Sequence, residues 1–210
     1  MKLLLEKVHY ALKQRHYTKS GASFSKIENG FYKLIHFQKG AFGGYFFINV
    51  GLHPVGLPQL IVDALSIPEK PKEHECFIRE RVDQIIKGAF TNVSERTFVY
   101  ASNPAVIETV IEILPEIENW LTKWSSFEVL AKTPDQDLEK LMPAVPILKK
   151  KAIAMMRYFC AIKLNNNENI QKWLKEYLSI RVPGLIFPEV DAYLKSLDKK
   201  MNPRANHSRK

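Results

Sequence analysis

Apolar residues recur at helical spacing through the first fifteen positions. Leu4, Leu5, Val8, Ala11 and Leu12 share one side, while Glu6, Lys7, Lys13 and Gln14 fall elsewhere. That pattern predicts an amphipathic helix, ended by the polar turn at Lys19-Ser20-Gly21. The period then changes to two. The run SFSKIENGFYKLIHFQ reads as strand, Asn29-Gly30 turn and strand, because a two-residue hairpin turn of type I′ needs positive φ at both central positions.

The next hairpin can be given a register from its pattern alone. Over 31–39, Phe31, Lys33, Ile35 and Phe37 alternate with Tyr32, Leu34, His36 and Gln38. Over 45–52, Phe46, Ile48, Val50 and Leu52 alternate with Tyr45, Phe47, Asn49 and Gly51. Pairing Phe37 with Ile48 and Ile35 with Val50 gathers the apolar sets on one face, whereas a slip of one residue mixes polar and apolar on both. The same register sets His36 opposite Asn49 and Gln38 opposite Phe47, and the Asn29-Gly30 turn places Phe24 across from Ile35.

A proline-punctuated segment follows, with a short helical candidate at 59–65 and the polar run EKPKEHE. Over 76–90, Ile78, Val82, Ile85, Ile86 and Ala89 fit a helix face, and helix is the preferred assignment. A strand at 76–82 stays open, since Cys76, Ile78 and Val82 also alternate with Phe77, Arg79 and Arg81. Residues 96–101, RTFVYA, are β-branched and aromatic enough for another strand. Helical signals then take over. Ser102-Asn103-Pro104 starts a helix whose stripe runs from Ile107 to Trp124, with a kink or break expected at Leu114-Pro115. Further helices are expected from Thr133-Pro134-Asp135 to about Met142, and over 147–164, 168–179 and 189–198.

A helix and strands first, then helices, is the α+β signature: an antiparallel β-sheet with an N-terminal helix packed on one face, followed by a C-terminal helical region. The expected organisation is an α+β domain over 1–130, a helical extension packed on it over 131–198, and a basic, mobile tail over 199–210.

At 210 residues and 46% hydrophobic, the chain can bury a sizeable core. No apolar run approaches the roughly 18 residues that span a bilayer, and the three N-terminal leucines are too few for a signal-peptide core. No membrane association is expected. Cys76 and Cys160 form no spacing motif, and two free thiols without an export signal point to a reducing cytoplasm. The net charge of +9 invites a nucleic-acid reading until it is divided. Residues 199–210 carry +5 and no acid, which leaves the body with 26 basic against 22 acidic residues.

The second face of the predicted hairpin carries Tyr32, His36, Gln38, Phe47 and Asn49, rings beside oriented polar groups, as a ligand- or partner-facing surface requires. Arg79 and Arg81 share one face if they lie on a strand and can then clamp a carboxylate or phosphate. On a helix they diverge, and ion pairs with Glu75 or Asp83 are the ordinary outcome. The loop Gly40-Ala41-Phe42-Gly43-Gly44 lacks the phosphate-loop pattern and joins two strands, so it reads as a hairpin turn. Glu73, His74, Glu75 and Cys76 are metal-ligand types in sequence, but neighbouring residues seldom converge on one ion, and no second cluster exists. No catalytic motif is present, and no metal or cofactor is expected. On the 147–164 helix, Lys149, Lys150, Lys151, Arg157 and Lys163 lie beside a stripe of Ile153, Met156, Phe159, Cys160 and Leu164. Those cations suit a solvated face or a nucleic-acid contact.

The combination of an N-terminal helix with F-x-K-L-I-H-F-Q-K, F-F-I-N-V-G-L and C-F-I-R-E-R-V (76–82) resembles the bacterial domain-of-unknown-function family DUF4304, over roughly residues 1–130. His36 departs from it, standing where that family more often has asparagine. The resemblance implies an α+β fold with an antiparallel sheet and no established activity. The functional expectation is a non-catalytic protein-interaction module with a protein partner, for instance an immunity factor. A nucleic-acid-associated protein using the basic tail and helix is the alternative. An enzyme using His36 as acid or base ranks third.

Overall fold

The computed structural model describes residues 1–41, 43–87, 98–99 and 102–201, with side chains to 198. The 199–210 tail, and all but residues 98–99 of the strand expected at 96–101, therefore lie outside what is described in full. The chain forms two compact units, one of residues 1–55 and 70–126, the other of 56–69 and 127–210.

The first unit is built on an antiparallel sheet. Helix α1 (Lys2–Lys13) is followed by β1 (Thr18–Ser20), β2 (Ser23–Glu28), β3 (Phe31–Lys39) and β4 (Tyr45–Pro54). Strand β7 (Ile78–Arg81) pairs on the far side of β4, giving the order β1-β2-β3-β4-β7, and β8 (Phe98–Val99) pairs with the start of β4. Asn29 and Gly30 both take positive φ, as the predicted turn demands. The register is the predicted one: Phe24 faces Ile35, Ile35 faces Val50, Phe37 faces Ile48, His36 faces Asn49 and Gln38 faces Phe47. Phe24, Ile35, Phe37, Phe46, Ile48, Val50 and Leu52 are buried on one face, with Leu4, Val8 and Leu12 of α1 also in the core.

Helix α3 (Pro104–Trp124) begins at Asn103, whose side chain accepts the Ala105 N–H. It runs through Pro115 as one helix, so the break that the sequence allowed at Leu114-Pro115 does not occur. A mid-helix proline costs about 3 kcal/mol, and burying an Ile, Leu or Val side chain returns roughly 1.5–3 kcal/mol. Val110, Ile113, Leu114 and Ile117 are buried on both sides of it, which outweighs the lost hydrogen bond.

Two local assignments are corrected. Residues 78–81 are strand, and helix is confined to α2 (Val82–Ile85). The helical pattern yields because pairing with β4 satisfies backbone groups that a bare edge would leave open and sets Ile78 against Leu52. Residues 59–65 are not helical either. They belong to a hairpin of β5 (Gln59–Ile61) and β6 (Ala64–Ser66), turning at Asp63 with φ of 52°. So short a segment is a poor helix in isolation, and Asp tolerates the left-handed conformation the turn needs.

The second unit contains that hairpin with α4 (Phe127–Lys132), α5 (Asp135–Leu141), α6 (Pro146–Lys163), α7 (Asn167–Ser179) and α8 (Pro188–Met201). Helix α6 is buried continuously from Lys151 to Ala161, so Lys151 and Arg157 are not on a solvated face. Arg157 is 6% exposed and donates to the carbonyls of Leu130 and Thr133 and, at 2.7 Å, to Asp135. Lys151 is 5% exposed and donates to the carbonyls of Tyr177 and Ile180 at 3.0 and 3.3 Å. Each cation satisfies carbonyls left over at a helix C-terminus, α4 in one case and α7 in the other.

Candidate functional site

The antiparallel register puts the predicted recognition residues on one side of the sheet. Tyr32, His36 and Gln38 of β3 and Phe47 and Asn49 of β4 alternate with the core set, and β7 joins them because Asn49 pairs with Arg81 and Gly51 with Arg79. Asn49 is buried, Tyr32, His36, Phe47, Arg79 and Arg81 are half-buried, and Gln38 is exposed. On a strand the two arginines share a face, as the strand alternative required.

The polar groups here hold one another. Asn49 Nδ2 donates to Gln38 Oε1 at 2.8 Å, and Ser23 Oγ lies 2.9 Å from Nδ1 of His36, its cross-strand neighbour. His36 and Asn49, which face each other, thus take different partners. Arg79 Nε donates to Glu73 Oε1 at 2.6 Å, and Arg81 Nε lies 2.8 Å from Asp83 Oδ1. Glu73 belongs to a short 3-10 turn (Glu73–Glu75) that the sequence marked only as a polar run. Burial lowers the His36 pKa, with Glu73 pulling the other way and His74 reinforcing the drop. The ring is therefore neutral near pH 7.

The aromatic groups form a short ladder. The Arg81 guanidinium lies 4.2 Å from the Phe47 ring centre, and Phe47 meets Tyr45 edge-on at 5.5 Å. Gly40 makes room for this ladder. A Cβ there would sit 2.1 Å from the Tyr45 ring, which accounts for that glycine without any phosphate. Gly43 and Gly44 both take φ of 73°, the conformation of a turn.

The core face carries a polar network that the sequence pattern missed. Lys33 has no exposed surface; it donates to Glu28 and, at 3.2 Å, to Thr122. Lys26 reaches Glu28 at 3.3 Å and Glu118 at 3.1 Å, and Tyr17 donates to Glu118. The available signal was polar residues at core-phase positions, namely Lys26, Glu28 and Lys33, which together require an acid and partners from the covering helix.

Among the described residues no cluster of three or more His, Cys, Asp or Glu is placed to hold a metal. Among them also, no helix is long and apolar enough to cross a membrane. Comparison with curated proteins and with solved structures finds no match. One family matches, described as "Domain of unknown function (DUF4304)", over residues 8–125. The stretches that carry the sequence resemblance, 31–39, 46–52 and 76–82, lie side by side as β3, β4 and the strand next to β4. With more than half of its length matched, the chain belongs to the DUF4304 family.

Proposed function

We propose that the chain is a non-catalytic protein-interaction module of a bacterial cytoplasm, binding a protein partner through the β3–β4–β7 face. The supporting observation is the Arg81–Phe47–Tyr45 ladder, half-buried and flanked by Tyr32, His36 and Gln38. Aromatic and arginine side chains dominate binding energy at protein interfaces, and rings already packed lose little freedom on contact. The neighbouring polar groups favour recognition over chemistry. Arg79 and Arg81 each hold a carboxylate, Asn49 is tied to Gln38, and the His36 Nδ1 is tied to Ser23.

An immunity-type role, with a toxin as the partner, is the specific form of this proposal. The nucleic-acid alternative is weakened because Lys151 and Arg157 are spent on helix carbonyls. The test is capture from native lysate of the source organism on the immobilised full chain, with Phe47→Ala and Arg81→Ala beside it. A stoichiometric protein held by the wild type and lost with Phe47→Ala is expected. Retention of the same protein by both variants, or no stoichiometric protein under several salt conditions, would refute the proposal.

A further inference from the structure

A cavity of about 480 Å³ lies in the first unit where α1 begins and β3 ends. Its walls include Lys2 and Leu5 of α1, Lys19 of β1, and His36, Gln38 and Lys39 of β3. Its volume falls within the roughly 300–1,000 Å³ typical of small-molecule sites.

The charge arrangement singles it out. Three lysines from three separate elements line the cavity, and no carboxylate lines it. Among the described residues, none of the three forms an ion pair, whereas Lys26, Lys33, Arg79 and Arg81 of the same unit each hold a carboxylate. Like charges gathered without a counter-charge repel, and a bound anion turns that cost into affinity. The start of α1 adds to the same field, since Met1 at its N-cap supplies no side-chain hydrogen bond to the first turn. Half-buried Leu5 provides apolar surface for the rest of a ligand.

We propose that this cavity binds a small molecule bearing a phosphate or pyrophosphate group, gripped by Lys2, Lys19 and Lys39. Lys2, Lys19 and Lys39 take no part in the Arg81–Phe47–Tyr45 ladder, so the site does not depend on a protein partner.

Calorimetric titration of the full chain with inorganic pyrophosphate at low salt tests it. One saturable site per chain is expected. Lys19→Gln and Lys39→Gln should each weaken binding about tenfold, the scale of one lost charge-assisted hydrogen bond. Lys150→Gln on the exposed surface of α6, and an Arg209→Gln/Lys210→Gln tail variant, should leave it unchanged. Because Lys39 is exposed, its variant stays informative even if the half-buried Lys19 variant misfolds. The proposal is overturned by no saturable binding at millimolar pyrophosphate, by unchanged binding in Lys39→Gln, or by an equal loss in the tail variant.

Discussion

Gly51 on β4 and Cys76 ahead of β7 are packed so closely that a Cβ on Gly51 would stand 2.6 Å from the Cys76 Sγ. The glycine of the N-V-G-L stretch and the cysteine of the C-F-I-R-E-R-V stretch are therefore one packing unit. Gly51→Ala should destabilise the fold by about 1–3 kcal/mol, the usual cost of overpacking a core. Cys76→Ala in the same chain should recover part of that loss, which a double-mutant cycle in urea reads directly. Gly40→Ala should cost much less, because the ring tip it meets belongs to half-buried Tyr45 and can swing outward. Equal losses at the two glycines would contradict this account.

The Lys33–Glu28 pair is asymmetric, since Lys33 is fully buried while the Glu28 side chain is 41% exposed. Removing the acid strands a buried ammonium, whereas removing the lysine leaves a carboxylate that still reaches water and Lys26. Glu28→Gln should therefore cost about 3 kcal/mol and Lys33→Met less than about 1 kcal/mol. Chemical denaturation gives the order, and the reverse order would sink the explanation.

The same pair gives an acid limb to stability. The Lys33 hydrogen bond holds the Glu28 carboxyl below its ordinary range, against the opposing effect of burial. Its contribution is thus complete above the unfolded value near 4.3 and is lost as pH falls through the lower folded value. Glu28→Gln should flatten unfolding free energy against pH in that window.

His36 acts at a higher pH. Burial depresses its folded pKa, so the unfolded chain takes up the proton first, and stability declines as pH falls from about 6.5 through the folded value. His36→Asn should remove that decline, and an NMR titration should place the ring midpoint below 6.5. A midpoint above it would show that Glu73 outweighs burial.

Arg157 binds two backbone carbonyls and a carboxylate in one fork. Lysine cannot reproduce that planar geometry, so Arg157→Lys should lower stability by about 2–4 kcal/mol despite keeping the charge. Lys150→Arg, on the exposed surface, is the neutral comparison in a thermal melt.

The alternation of Phe31 to Leu52 determined by itself the central hairpin, its register and the division of residues between two faces. A one-residue slip would bury the wrong set, and the Asn29-Gly30 turn admits few alternatives. Helix spacing likewise located α1, α3 and α7, because each buries a stripe that no other period fits. Residues 78–81 and 59–66 were decided by tertiary structure. Their local patterns were ambiguous, and strand pairing supplied the hydrogen bonds that settled them. The partners of the charged groups also came only from the fold. Lys33 with Glu28 and Thr122, Arg79 with Glu73, and Lys151 and Arg157 with helix carbonyls depend on which elements meet, and hydrophobic periodicity does not encode it.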